Sequence, residues 1–194
     1  FELPVGENLS SNQVFELTSP FVLASQDNTT VQIDVDGDGT TDITQTLNQG
    51  ESYNVPVATV VSAGATITTD KPVQVSLFTG DIGSSYEARF FTLYPTERWD
   101  SSYYSPVGMT NSTLIDPDTV PNSGDEYYDD PVHVWLYNPN ASAITVNYQT
   151  QTSSGTIPVP VGSTVFYEMP LNQGAQFFTT DNSIFNAIST IDSN

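Results

Sequence analysis

The chain has no cysteine, a single histidine and three bases among 194 residues, and each scarcity removes a class of chemistry. Without cysteine there is no disulfide, no thiolate metal site and no thiol nucleophile. His133 stands alone, so a zinc site has no second imidazole, and no serine sits in a Gly-x-Ser-x-Gly elbow. Nothing nominates a carboxylate pair for hydrolysis, and the expectation is a protein that is not an enzyme. Lys71, Arg89 and Arg98 face 23 acids, for a net charge of -20. Such a surface repels phosphate backbones and anionic lipid, which argues against a nucleic-acid partner. No run of 18 apolar residues is present, so no membrane insertion by a helix is expected. A chain opening on Phe1, with no basic or apolar leader behind it, is expected to be a mature or excised segment.

What is present suits a folded all-β protein. Apolar residues make up 37% and aromatics 11%, enough for a core, while only 13% are charged. The acidity therefore comes from missing lysines, with Ser, Thr, Asn and Gln covering the surface, a composition that reads as secreted or displayed at a cell surface. Short β-branched and aromatic runs recur between Gly, Pro, Asn and Asp: 31–35, 42–47, 52–55 and 73–77. Period-two alternation of this kind predicts half-buried strands. The expected fold is an antiparallel β-sandwich.

The runs also repeat. Residues 22–33 match residues 135–146 as strand, Asn-centred turn and strand. Gly50 to Pro56 matches Gly162 to Pro170, and Gly64 to Asp70 matches Gly174 to Asp181. Two pseudo-repeated β-units follow, over 13–82 and 132–194. An aromatic and acidic connector is expected over 83–131, and residues 1–12 are read as a linker or a strand that pairs elsewhere.

The most distinctive stretch is Asp34-Val35-Asp36-Gly37-Asp38-Gly39-Thr40-Thr41-Asp42, between two strand-like runs. Four carboxylates this close repel one another, whereas a hard divalent ion taking six to eight oxygens at about 2.3–2.6 Å turns repulsion into coordination. The alternative is a solvated Asp-Gly turn, which two-residue hairpins often use. A plain turn has no need of four carboxylates, so Ca2+ is the expected cofactor. The flanking strands exclude an EF-hand, as does Gln45 at the twelfth position in place of a bidentate Glu. The spacing resembles the β-hairpin calcium loop of integrin α-subunit propellers. That resemblance implies the carboxylates of Asp34, Asp36, Asp38 and Asp42 and the carbonyl of Thr40 as ligands, with Gly39 permitting the turn and Gly37 at a free position. The second unit's hairpin, residues 151–155, has no acid.

The order of 23–30, 67–73, Leu93-Tyr94-Pro95, Trp99 and Tyr103-Tyr104, with the repeated strand-Gly-Pro pattern, resembles the N-terminal domain of IgGFc-binding proteins and its relatives on microbial surfaces. The resemblance implies an extracellular, non-catalytic module of adhesive proteins, and it carries over no binding residues. The expected function is a secreted, calcium-stabilised structural or adhesive module meeting a protein or glycan partner at the cell surface. Two alternatives stand beside it. One is a pilus-like fibre subunit that self-associates by pairing residues 1–12 with a neighbour's sheet edge. The other is a carbohydrate-binding module using Trp99, Tyr103, Tyr104, Tyr127 and Tyr128 as a stacking platform. Alternation puts His133 on one face with Trp135 and Tyr137, as a packed or surface histidine. The acids of 125–130, with Asp116 and Asp118, read as a solvated loop, Lys71 as a turn residue, and Asn8, Asn28, Asn111 and Asn140 as sequon positions.

Overall fold

The structure, a computed structural model, describes residues 1–9, 13–80, 82, 88–106 and 132–191. The acids of 116–130, Tyr127, Tyr128 and Asn111 lie outside the described residues. The fold is all-β and antiparallel, in two compact units whose main break, between Trp99 and Asp100, lies inside the stretch expected to connect them, with residues 162–164 grouped with the first.

Unit 1 holds β1 (Leu17–Ala24), β2 (Thr29–Asp34), β3 (Ile43–Leu47), β4 (Ser52–Asn54), β5 (Thr66–Thr69), β6 (Val73–Gly80) and β7 (Arg89–Leu93). Unit 2 holds β8 (Ser102–Ser105), β9 (Val132–Tyr137), β10 (Ile144–Thr150), β11 (Ser154–Val159), β12 (Thr164–Glu168), β13 (Ala175–Phe178) and β14 (Asn186–Ile191). The sheets of unit 1 run β4-β1-β6-β7 and β3-β2-β5, and those of unit 2 run β12-β9-β14 and β11-β10-β13-β8. Strands one to six of the first unit thus reappear as β9 to β14 with the same neighbours in the same order.

Alternation drives both units. Val22 and Ala24 of β1, Val31 and Ile33 of β2, Ile67 of β5 and Val75 and Leu77 of β6 are buried, so both sheets of unit 1 contribute to its interior. In unit 2 one cluster joins Val134 and Leu136 of β9 to Ile144 and Val146 of β10, Val159 of β11 and Phe177 of β13, which makes a sandwich of its two sheets. Each of these side chains larger than alanine contributes about 1.5–3 kcal/mol by leaving water.

Hydrogen bonds correct the register of the repeat. The Val55 amide donates to the Pro20 carbonyl, and the Met169 amide donates to the Val132 carbonyl, which makes Pro20 the counterpart of Val132. Val22 therefore corresponds to Val134 rather than Trp135. At the other sheet Ile33 stands opposite Ile43 and Ile67, and Tyr148 stands opposite Gly155 and Phe177, so Ile33 corresponds to Tyr148 rather than Val146. The match of Gly64–Asp70 with Gly174–Asp181 fits these pairings.

Residues 1–5 lie along β5 of their own unit. The Ile67 amide donates to Phe1, Glu2 bridges Thr66, and the Leu3 amide donates to Ala65, while Leu3 and Val5 are fully buried. Strand β8 does the same for β13, setting Tyr103 opposite Phe177 and Ser105 opposite Ala175. Each repeat therefore begins one strand earlier than the matched segments suggest.

Candidate metal centre

The loop between β2 and β3 is built by its own aspartates. Asp34, the last residue of β2, is 6% exposed and accepts the Gly37 amide on Oδ1 at 2.7 Å and the Gly39 amide on Oδ2 at 2.8 Å. Asp36 Oδ1 accepts from Asp38 at 3.1 Å, and Asp38 Oδ1 accepts from Thr40 at 2.7 Å. Asp42 closes the loop by donating its amide to Ile33 and accepting the Val35 amide on Oδ2, both at 2.9 Å. Side chains of this type bond nearby backbone amides readily, so the chain can turn without the ladder.

One carboxylate oxygen from each of Asp34, Asp36 and Asp42 lies within 4.8 Å of the other two. Two oxygens on one calcium ion stand at most twice the metal–oxygen distance apart, about 5 Å, so the three fit one coordination sphere. The structure brings these three of the five expected ligands together. Asp38 is not in that group and its carboxylate turns onto the Thr40 amide; both residues are exposed.

The two glycines have separate reasons. Gly37 has φ of 76° and Gly39 of 91°, conformations that side chains resist. A Cβ at Gly37 would also stand 2.7 Å from the Gly64 carbonyl oxygen, so this position is not free. The Ser62 amide donates to Val35 beside it, seating the loop on the segment that leads into β5.

The second hairpin, β10–β11, has no such loop. The Thr150 amide donates to Ser153, the Thr150 and Ser153 hydroxyls bond at 3.0 Å, and Thr150 Oγ1 accepts the Thr152 and Ser153 amides. Tyr148 packs 4.5 Å from Tyr167, whose phenol burial pushes above its ordinary range, with Tyr148 close by adding to the effect.

The remaining candidates take ordinary structural places. His133 and Trp135 are buried on the face opposite Val134 and Leu136, edge-on to each other and near Phe166, and the Trp135 indole donates to Thr190. Trp99 is 7% exposed with its indole donating to Tyr94, so its face is not offered to a sugar, whereas Tyr104 is 74% exposed. The Lys71 ammonium donates to the carbonyls of Asp27 and Asn28 at 2.6 and 2.8 Å and ties the β1–β2 turn, where Asn28 adopts φ of 54°. Asn140 Nδ2 donates to Asn138 and Ile184, and the buried Asn138 amide in turn holds three carbonyls across its turn. The only local sign of that fully buried asparagine in the sequence is the Asn138-Pro139-Asn140 turn. Among the described residues no helix is long and apolar enough to cross a membrane.

No family model matches the chain, and no curated protein or solved structure matches it either.

Proposed function

We propose that this protein is a calcium-stabilised, non-catalytic module of an extracellular surface or adhesive protein, and that the Asp34–Asp42 loop is its calcium site. The observation that carries the reading is the convergence of the Asp34, Asp36 and Asp42 carboxylate oxygens within 4.8 Å at the closed end of a hairpin. Asp38 and the Thr40 carbonyl are the further ligands proposed. The ion would neutralise the repulsion among carboxylates that the loop's own backbone bonds hold together. Extracellular modules hold calcium with dissociation constants of about 10⁻⁴–10⁻³ M, so occupancy and stability would follow ambient calcium. The lysine-poor, acidic composition and the lack of cysteine suit display outside the cell, where a metal can brace what a disulfide does not.

Calorimetric titration with calcium, run beside thermal melts in calcium and in chelator, tests the reading. Binding of one ion and a higher melting temperature in calcium are expected, and both should vanish in Asp34→Asn. Identical melts in calcium and chelator would overturn it.

A further inference from the structure

Trp99 is buried and the Tyr103 phenol is committed to the Phe185 carbonyl, whereas Tyr104 stands in solvent on the other face of the same strand as Tyr103. Its neighbours share a chemistry. The sheet β11-β10-β13-β8 buries Val146, Val159 and Phe177 on one face, so alternation turns the intervening residues outward. In one row across the strands Gln149 stands beside Gln176, and Gln176 beside Tyr104. In the next row Asn147 stands beside Phe178, and Phe178 beside Ser102. Strand β11 completes the two rows with Ser154 and Thr156. None of the four strands contains a charged residue, in a chain with 23 acids.

Two of the carboxamides are set in place. Asn147 Nδ2 donates to the Phe178 carbonyl at 3.3 Å, and Gln176 Nε2 donates to the Ser102 hydroxyl at 3.2 Å. Their oxygens are left to accept, and the exposed Gln149 adds a third carboxamide with an acceptor and two donors. Side chains already held in this way lose less freedom when a ligand arrives. The corresponding places in unit 1 differ, with Thr68 where Phe178 stands and Asp34 where Gln149 stands. Only one copy of the duplicated scaffold therefore joins aromatic rings to uncharged amides on this face.

We infer that this face of unit 2 binds a neutral glycan, Tyr104 stacking on a sugar ring while Gln149, Gln176 and Asn147 pair with sugar hydroxyls. Charge complementarity selects the occupant. An anion finds no base on the face and a chain of net charge -20 behind it, and a cation finds no acid on it. A sugar has a rim of hydroxyls, which donate and accept as carboxamides do, and an apolar C–H face that settles on an aromatic ring. Four strands about 4.8 Å apart make the face wide enough for several linked sugars. A glycan is the partner that the adhesive reading leaves open, and to that extent the proposal rests on that reading; the metal loop has no part in it.

Affinity electrophoresis of the full chain is the test, in native gels holding a β-glucan, a xylan, a galactomannan, an α-glucan or, as the anionic control, hyaluronan. Each gel is run in calcium and in chelator. Retardation is expected in at least one neutral gel, equally in calcium and in chelator, with none in hyaluronan. Melts indifferent to calcium would overturn the metal site and leave this result standing. Tyr104→Ala should weaken binding about tenfold and Gln149→Ala about fivefold, both melting like the parent. Thr68→Ala, on the matching face of unit 1, should bind as the parent does. A parent that runs unretarded in every neutral gel overturns the inference, as does Tyr104→Ala binding as tightly as the parent. Binding lost in chelator or in Thr68→Ala would move recognition to unit 1 and overturn it too. So would sedimentation showing a dimer that Tyr104→Ala dissolves, which would give the face to a second copy of the chain.

Discussion

In β2–β3 the strand pair closes at Ile33 opposite Ile43, and nine residues, 34–42, carry the chain around; in β10–β11 it closes at Gln149 opposite Ser154, with four residues, 150–153. The two hairpins occupy the same place in the repeated topology, on the same partner strand, opposite Ile67 in one case and Phe177 in the other. Both must satisfy backbone amides that leave the ladder at the turn. The shorter one does so with the Thr150 hydroxyl, which accepts the Thr152 and Ser153 amides and carries no charge. The longer one does so with the carboxylates of Asp34, Asp36, Asp38 and Asp42. The scaffold therefore does not require a metal at this corner. Five extra residues and four acids set the longer corner apart, and it is there that a cation is proposed.

The largest effects test whether the corners are equivalent in their core. Phe177→Ala is expected to cost about 3–5 kcal/mol in urea unfolding, and Ile67→Ala about 2–5 kcal/mol, because each empties the fully buried position on which its hairpin rests. A cost under 1 kcal/mol at either one would break the equivalence. Next comes Gly37→Ala, expected to cost about 2–4 kcal/mol: the left-handed backbone contributes about 1–2, and the rest is the clash with the Gly64 carbonyl. Its contrast is Gly155→Ala. There the added Cβ would stand 2.8 Å from the Tyr148 ring, a side chain that can be trimmed. A cost of about 1–2 kcal/mol is expected, largely recovered in the double variant with Tyr148→Leu. No second substitution should recover Gly37→Ala, since its obstacle is backbone.

Much of this comparison was legible in the residues themselves. Glycines and prolines at matching spacings exposed the duplication, and Gly64–Asp70 against Gly174–Asp181 stands in the expected alignment because both segments start at a turn glycine and alternate from there. The register of β1 against β9 was not legible. A strand asks only that apolar residues fall on every second position, and the turn after Ala24 is shorter than the one after Tyr137, so Val22 could be set on Trp135 as easily as on Val134. The extra strand at the start of each repeat was hidden for the same reason, since Phe1-Glu2-Leu3 and Tyr103-Tyr104-Ser105 share a place beside β5 and β13 but no residue. At the metal loop, spacing identified the acids, whereas the seat of Gly37 against Gly64 is a contact between segments distant in the chain and had no local signal.

Calcium sharpens the contrast between the hairpins at intermediate size. At ten to a hundred times the expected dissociation constant, bound calcium would add about 1.4–2.7 kcal/mol to the stability of unit 1. Asp34→Asn should abolish the gain, because Asp34 is a proposed ligand and also anchors the Gly37 and Gly39 amides. Replacing Thr150 by Val should leave the calcium response untouched while loosening the second hairpin. A response to calcium that survives Asp34→Asn would point to acids elsewhere in the chain.

The smallest effect lies at the leading strands. Phe1 occupies the place opposite Ile67 that Tyr103 occupies opposite Phe177, and the phenol adds what a phenyl ring lacks. The Tyr103 hydroxyl donates to the Phe185 carbonyl at 2.8 Å and accepts the Asp100 amide at 3.0 Å, while its ring meets Phe185 edge-on. Burial, chiefly, holds the phenol above its ordinary range, and the Asp100 charge adds to that; the Asp100 amide works in the opposite sense. The folded protein therefore keeps this proton at a pH where the unfolded chain has begun to lose it. Stability from this group is fully present below about pH 10, the ordinary value, and declines as pH rises from there through the raised folded value. Unfolding free energies of the parent should fall over that window. Tyr103→Phe should cost about 1 kcal/mol at pH 7 for the lost hydrogen bonds and flatten the fall, leaving unit 2 with the same residue type that unit 1 uses at this position. An equally steep fall in the variant would assign the alkaline loss to other tyrosines, with Tyr167 the first to replace, since burial raises it as well.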